Sequence, residues 1–105
     1  MPEIAYTVAC TFTDPAVAER WAAWLEDGHL EDVCAAGATR AVAVKLDGDT
    51  IRYEARYRFA SRAAFEAYER DHAPRLRAEG LAKFPLELGL TYERAVGEII
   101  CRASR

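Results

Sequence analysis

The start of the chain alternates apolar and polar residues and then changes to a helical spacing. From Ile4 to Phe12 every second residue is apolar, which predicts a β-strand with one buried face. Asp14 followed by Pro15 is typical of a helix start, because aspartate caps free backbone N–H groups and proline suits the first helical position. The helical stripe after it consists of Val17, Trp21, Trp24, Leu25 and Gly28. A strand followed by a helix is therefore predicted.

The middle of the chain predicts a further helical piece and a β-hairpin. Residues 29–36 continue the helical pattern, and Gly37 is placed to end it as a C-terminal cap. Strands follow over 41–46 and 51–59, and the Asp-Gly turn signal at Asp47-Gly48-Asp49 joins them. In the first of these strands, one face carries Val42, Val44 and Leu46.

The last third of the chain predicts a second helix and a final strand. Ser61 is placed as its N-cap, and Pro74 breaks or kinks this helix near residues 71–73. We expect a further turn over 75–79, closed by Gly80, and a strand from 88 to about 100 interrupted by Gly97. The apolar stripe of the helix is Phe65, Tyr68 and His72, and the residues expected to pack back after Gly80 are Leu81 and Phe84.

The resulting order, β-α-β-β-α-β, is that of a ferredoxin-like α+β fold. We expect one domain over residues 1–105, with an ordered core from about 4 to 100 and a tail at 101–105. Its four-stranded antiparallel sheet carries two main helices on one face. The layer between them is expected to be filled by Trp21, Trp24, Phe65 and Tyr68.

The other face of the sheet has a mixed, charged composition. The alternation assigns to it Thr7, Thr11, Lys45, Arg52, Glu54, Arg56 and Arg58. In one interpretation this face is solvated and the protein is a monomer. In the other, two sheets meet and close into a dimeric α+β barrel, and the apolar residues around Gly97, namely Val96, Ile99 and Ile100, favour it by offering an edge for pairing. A homodimer is the preferred prediction.

Composition excludes several classes of protein. The 105-residue chain has a net charge of −3, whereas a protein that binds nucleic acid usually has a basic excess. No apolar run is long enough for a membrane span, and the first residues do not resemble a signal peptide. Cys10, Cys34 and Cys101 lie in apolar settings and are read as buried, reduced thiols. We therefore expect a cytoplasmic protein without a nucleic-acid or membrane partner.

Two histidines are the candidate catalytic residues. His29, just past the first helix, has a side chain suited to general-base chemistry near neutral pH, although a helix-end histidine often makes only a structural hydrogen bond. His72 could act likewise, or could bond to backbone carbonyls that the proline leaves free. A metal site at His29 is not expected, because Glu31 would point away from it on a helix.

The candidate ligand-binding residues are arginines and tyrosines of the strands. Arg52, Arg56 and Arg58 could hold a carboxylate or phosphate, or could instead pair with Glu54, Glu87 or Glu93. Hydroxyl groups in an otherwise apolar pocket could come from Tyr6, Tyr53, Tyr57 and Tyr92, although core packing is the alternative role for each.

Several short motifs resemble a small bacterial family of unknown function. They are Trp21-x-x-Trp24, His29, Val33, Gly37, Tyr68, Ala73-Pro74-x-Leu76-Arg77 and Gly80 near Phe84, within a resemblance that spans about 4–100. Members of this family are similar to the dimeric α+β barrel superfamily, which includes antibiotic-biosynthesis-type monooxygenases and ether-degradation-associated proteins. The resemblance implies the fold and the dimer, but it implies no reaction.

Three functions remain open at this level. The first is binding of a small, partly apolar organic ligand. The second is a cofactor-independent oxygenase or isomerase, with His29 or His72 as the base and an arginine holding the developing oxyanion. The third is a structural or interaction dimer without a ligand. None of them calls for a cofactor.

Overall fold

The computed structural model describes residues 2–105. The strands and helical regions follow one another in the predicted order, β-α-β-β-α-β. Each of the two helical regions consists of two helices. The elements are β1 (Ile4–Phe12), α1 (Pro15–Trp24), a π-helical turn (Leu25–His29), α2 (Leu30–Ala35), β2 (Arg40–Lys45), β3 (Ile51–Phe59), α3 (Arg62–Asp71), α4 (Ala73–Lys83), a 3-10 turn (Leu86–Leu88) and β4 (Leu90–Glu98). The break between α3 and α4 confirms the expected effect of Pro74.

The four strands form one antiparallel sheet in the order β2-β3-β1-β4. β1 lies in the middle and pairs along its whole length with both β3 and β4. At its start Ile4 lies opposite Phe59 of β3, and at its end Phe12 lies opposite Leu90 of β4. This order and these pairings confirm the ferredoxin-like fold. The sheet has a covered face, on which β1 places Ile4, Tyr6, Val8, Cys10 and Phe12 beneath the helices, and an open face, on which it places Ala5, Thr7, Ala9 and Thr11.

Aromatic rings fill the core between the covered face and the helices. Trp21 and Phe59 are almost fully buried. The Phe59 ring centroid lies 5.2 Å from that of Phe65 and 5.1 Å from that of Tyr68, and both of these rings belong to α3. The predicted aromatic layer is thus present, with Trp24 only partly buried at its margin. Because the sheet has apolar cover on one side only, the helix layer determines which strand residues lie in the core.

Both predicted N-caps are confirmed. The Asp14 carboxylate accepts a hydrogen bond of 2.9 Å from the backbone N–H of Ala16, and the Ser61 hydroxyl accepts one of 3.1 Å from that of Ala64. These side chains satisfy N–H groups that have no partner within the first helical turn. Two sequence-local signals therefore set where α1 and α3 begin.

The face assignment of β2 is wrong. Lys45 pairs with Tyr53 and lies on the side of the covered face, while Val42 pairs with Arg56 and Val44 with Glu54 on the open face. Small Ala41 and Ala43 occupy the covered side instead, where α2 packs against β2. Because β2 is an edge strand with only light cover, the larger apolar residues did not reveal which side faces the core. Val42 is accordingly 50% exposed.

Predictions for the second half of the chain also need correction. Gly80 does not close a helical turn, because α4 runs on to Lys83; a Cβ at Gly80 would lie 3.1 Å from Cη2 of Trp24, so glycine allows the close approach of the indole. Gly97 does not interrupt β4, which extends to Glu98. Leu81 is 47% exposed and does not pack into the core as expected, whereas Phe84 does.

Burial separates the three cysteines. Cys10 is fully buried on the covered face, and burial raises the pKa of its thiol to about 12. Cys34 is partly buried, but Cys101 is exposed, so the prediction of burial is wrong there. Cys101 follows the last strand in a segment without regular structure, where no layer covers it.

Candidate functional site

A cavity lies between the covered face and the helices, lined by residues of both layers. Its interior volume is about 60 Å³, below the roughly 300–1,000 Å³ typical of ligand pockets, and it opens to solvent. The sheet contributes Tyr6, Val8, Ala55, Tyr57, Tyr92 and Arg94. The helical layer contributes Trp21, Trp24, Leu25, His29, Tyr68, Leu76, Arg77, Gly80 and Leu81. The wall is thus mainly aromatic and aliphatic, with a few nitrogen-bearing side chains.

A kink at Gly28 places His29 in this wall. Gly28 has φ of +145°, a conformation that residues with a side chain rarely adopt, and it sits inside the π-helical turn. The turn brings the His29 imidazole onto the Trp24 indole, with ring centroids 3.9 Å apart and an angle of 21° between the planes.

The imidazole of His29 is held in its neutral form. Its Nδ1 atom is buried and has no hydrogen-bond partner among the described residues. Burial lowers the pKa of His29, because it penalises the charged ring, while the negative charges of Asp32 and Glu79 oppose this shift. A neutral imidazole in a cavity can accept a proton or hydrogen-bond a ligand.

Arg77 reaches into the cavity from α4. One terminal nitrogen of its guanidinium donates to the Tyr6 hydroxyl at 3.1 Å and to the Glu69 carboxylate at 2.7 Å. These two contacts fix the orientation of the guanidinium. The Nε atom of Arg77 is buried and has no partner among the described residues. Buried N–H groups are rarely left unpaired, so this atom is an exception within the core.

Arg94 enters from the opposite side, on β4. It lies directly across from Val8 of the central strand, so the register places it on the covered side of the sheet. Its guanidinium carbon is 5.4 Å from the centre of the Tyr92 ring. The Tyr92 hydroxyl in turn accepts a hydrogen bond of 3.1 Å from Nε1 of Trp21. Arg94 is exposed while lining the cavity, which places it at the mouth.

Three tyrosine hydroxyls around the cavity, those of Tyr57, Tyr68 and Tyr92, keep their protons at neutral pH. Burial raises the pKa of Tyr68 to about 12 and that of Tyr57 further. Burial also raises the pKa of Tyr92. These groups can therefore donate hydrogen bonds to an oxygen of a ligand, but they do not supply negative charge.

The two candidate catalytic histidines are not brought together. His29 lines the cavity, whereas His72 lies in a separate surface cleft with Asp32 and Arg75. Nδ1 of His72 is 3.1 Å from the guanidinium of Arg75, a contact with a neighbouring side chain and not with the backbone carbonyls considered above.

The candidate ligand-binding residues divide between the two faces. Tyr6 and Tyr57 line the cavity. Tyr53 packs edge-on against Phe12 and Trp21 and is not part of the cavity wall. The open face carries Arg52, Arg56 and Arg58.

On the open face, two of these arginines form ion pairs with glutamates, which is the alternative role predicted for them. Arg52 binds Glu93 at 2.9 Å, and Arg56 binds Glu54 at 2.9 Å. Arg58 lies opposite Arg40 of the edge strand. These arginines have no access to the cavity through the sheet, so they do not belong to the same site.

Sequence reasoning did not select Arg77 and Arg94 as site residues. Arg77 appeared only within the family motif, and it meets Tyr6 across 71 positions of chain. A signal for Arg94 was available in the alternation of β4. Arg94 lies two residues from both Tyr92 and Val96, so all three lie on the covered face of the sheet. A charged residue in that series is a candidate for a role other than packing.

Residues 2–105 contain no cluster of three or more histidine, cysteine or acidic side chains placed to hold a metal ion. Each described helix is too short or too polar to cross a lipid bilayer.

Fold and cavity together define a ferredoxin-like α+β protein with a pocket between its two layers. A family model described as a domain of unknown function, DUF4286, matches residues 3–92, and the chain belongs to this family. Comparison with curated proteins finds no significant match.

Solved structures share the fold at low sequence identity. A dimeric ferredoxin-like protein from an uncultured marine organism has a TM-score of 0.78 and 14% identity, covering 98% of this chain and 99% of its own. SnoaB, a cofactor-independent oxygenase from Streptomyces nogalater, represented by its N63A mutant, has a TM-score of 0.68 and 16% identity, with 100% of both chains covered.

The monooxygenase ActVA-Orf6 of Streptomyces coelicolor, in complex with the ligand nanaomycin D, has a TM-score of 0.69 and 16% identity, covering 99% of this chain and 91% of its own. At such identities the similarity establishes the fold alone.

Proposed function

We propose that this protein binds a small, partly apolar organic molecule in the cavity between its sheet and its helices. The observation that carries the proposal is a mainly apolar cavity with a few nitrogen-bearing side chains in its wall, namely His29, Arg77 and Arg94. Apolar walls with a few convergent polar groups are the usual composition of a small-molecule site. A polar group of a ligand would hydrogen-bond to these side chains while its apolar part contacts the rest of the wall.

Ligand screening by thermal shift tests this proposal. Aromatic acids, phenols and acyl compounds are the first set, and a bound ligand is expected to raise the melting temperature with its concentration. Gly80→Leu is the cavity-blocking variant, because its side chain would extend from α4 towards Trp24 and the cavity. Ala78→Leu, on the same helix at an exposed position outside the cavity, is the matched control. Absence of any stabilising compound would contradict the proposal.

We further propose that two copies pair through their open faces, in a reducing cytoplasm and without nucleic acid or membrane as a partner. The dimeric description of one structural neighbour supports pairing. So do the exposed Val42 and the like charges of Arg40 and Arg58, which lie directly opposite each other in the register. Directly opposed like charges destabilise a strand pair unless an anionic group from elsewhere compensates them. The free cysteines suit a reducing compartment.

Sedimentation equilibrium tests the pairing. We expect the mass of two chains for the wild type and of one chain for Val42→Asp. Leu86→Asp, at an exposed apolar residue away from the strands, is the control and should stay dimeric. A wild type with the mass of a single chain would contradict this proposal without touching the ligand site.

A second candidate function is a cofactor-independent oxygenase or isomerase that uses His29 as a base. The lowered pKa of His29 favours it, because a neutral imidazole is ready to remove a proton from a bound substrate. Deuterium exchange at an acidic C–H of an enolisable ketone, followed by NMR, would measure this step. We expect exchange to fall in His29→Gln and to persist in His72→Gln. Equal exchange in both variants would contradict catalysis by His29 and leave ligand binding as the proposed function. If no ligand binds either, the third possibility, a structural dimer without a ligand, is the one left.

A further inference from the structure

We infer that the ligand of this cavity is a small aromatic carboxylate, whose anionic group is bound by Arg94 at the mouth. The inference rests on the proposed binding function and adds the chemical class of the ligand. Its basis is the distribution of charge around the cavity, the position of Arg94 in β4 and the shape of the walls.

The cavity wall has basic but no acidic side chains, in a chain that is acidic overall. Arg77 and Arg94 line it beside the neutral His29, and no aspartate or glutamate does. The whole chain carries 17 acidic against 14 basic residues. A wall from which acids are absent, in a protein with an acidic excess, favours an anionic occupant, because a low-dielectric surrounding strengthens the attraction.

Arg77 and Arg94 differ in their freedom to bind such an anion. The charge of Arg77 is already balanced by Glu69 at 2.7 Å, and its guanidinium is further held by the Tyr6 hydroxyl. Arg94 has no carboxylate within 4 Å among residues 2–105, and its recorded interaction is with the face of the Tyr92 ring. Arg94 is therefore the residue whose guanidinium remains available to form two parallel hydrogen bonds with a carboxylate.

The walls next to Arg94 indicate an aromatic body for the ligand. Val8 lies directly opposite Arg94 on the neighbouring strand, and the indole of Trp24 is another part of the wall. Val8 is only partly buried although it lies on the central strand of the sheet, so a ligand in the cavity would cover it. The interior volume of about 60 Å³ leaves no room for a bulky group.

Matched acid and amide probes test the inference. We would measure binding of 1-naphthoate and 1-naphthamide to the full chain by titration calorimetry. The two probes have the same ring and nearly the same shape, so their affinities differ through the charge and through the acceptor oxygen that the amide NH2 group replaces. We expect wild type to bind the acid about tenfold more tightly than the amide, the size of one charge-assisted hydrogen bond.

Variants identify the residue responsible. Arg94→Met should remove the preference for the acid, and Arg94→Lys should retain only part of it because a lysine cannot form the two-pronged contact. Arg75→Met, on the exposed side of α4 outside the cavity, should keep the full preference. Since Arg94 is exposed and has no ion pair to lose, its variants should fold, and circular dichroism checks this.

The outcomes separate this inference from the function on which it rests. Equal affinity of wild type for acid and amide would overturn the carboxylate assignment and leave ligand binding standing. A preference that survives in Arg94→Met would overturn the role of Arg94. If inorganic phosphate displaced the acid at equal concentration, the site would bind anions in general and not select a carboxylate. That result would also overturn the assignment of an aromatic carboxylate. Failure of both probes to bind would overturn the inference and count against the proposed function.

Discussion

The covered face and the open face of the sheet arise from the same alternation of residues, yet different forces act on them. On the covered face, aromatic rings such as Phe59 and Phe65 pack with centroids 5.2 Å apart and almost no exposure. On the open face, charged pairs such as Arg52 and Glu93 meet at 2.9 Å in partial contact with solvent. Burial of a large apolar side chain contributes about 1.5–3 kcal/mol, whereas an exposed ion pair contributes roughly 0–1 kcal/mol.

This difference shows which face carries stability and which surface remains available for contacts. The covered face supplies most of the free energy of folding and forms one wall of the cavity. The open face supplies little to the fold, so its ion pairs and its exposed Val42 can change without unfolding the protein. A single four-stranded sheet thus separates the cavity from a charged, exposed surface by the thickness of one strand layer.

The largest expected difference in the free energy of unfolding is between substitutions of two adjacent β3 residues that point to opposite faces of the sheet. Phe59→Ala should lower the free energy of unfolding by about 3–4 kcal/mol, because it leaves a cavity in the aromatic layer. Arg58→Ala, on the open face, should cost less than about 1 kcal/mol. Guanidinium unfolding at one fixed protein concentration measures both, and equal losses would mean that the open face is as important to folding as the covered face.

A smaller effect distinguishes two tyrosines of the covered face. Tyr92→Phe should cost about 1–2 kcal/mol, because it leaves Nε1 of Trp21 without its acceptor in a partly buried place. Tyr53→Phe removes a hydroxyl that has no side-chain hydrogen bond among the described residues, so it should cost about 0.5 kcal/mol or less. Urea unfolding of the two variants measures both losses. A larger loss of unfolding free energy in Tyr53→Phe than in Tyr92→Phe would contradict the role of the hydrogen bond between Trp21 and Tyr92.

The third effect depends on pH and arises from His29. Its pKa is lowered in the folded protein, so the unfolded chain binds the proton more readily. The free energy of unfolding should therefore fall as the pH drops below the unfolded pKa of about 6.5, and continue to fall until the folded pKa is reached. His29→Gln should lack this component of the pH profile, while His72→Gln should keep it. An unchanged profile in His29→Gln would show that the imidazole is not desolvated.

The smallest expected effect concerns the ion pairs of the open face. A double-mutant cycle on Arg52 and Glu93 should give a coupling of less than about 1 kcal/mol, because the glutamate side chain is 68% exposed. The coupling should decrease further when salt is added. A larger, salt-resistant coupling would indicate that this surface is buried against a second chain, and it would then sharpen the case for pairing of open faces.

Much of the fold could be predicted from the sequence because its signals are local. The alternation in β1 and β3, the caps at Asp14 and Ser61, and the break at Pro74 each depend on a few consecutive residues. β2 shows the limit of such signals. On a lightly covered edge strand, Val42 and Val44 do not indicate the buried side, and only the pairing with β3 assigns them to the open face.

The candidate site shows the same limit more clearly. His29, Tyr6 and Tyr57 were recognisable by their chemistry, but their sharing of one cavity, and the separation of His72 from it, were not. The pairing of Arg77 with Tyr6 and the position of Arg94 at the cavity mouth depend on contacts across the whole chain.

The sequence by itself determined the order of strands and helices, the aromatic layer and the charged character of the second sheet face. Only the tertiary structure decided which face β2 presents to the helices, which histidine lines a cavity and which arginines join it there. The physical reason is that periodicity and capping act within a few residues, whereas the cavity is lined by strands and helices that are far apart in the sequence and meet only in the packed fold.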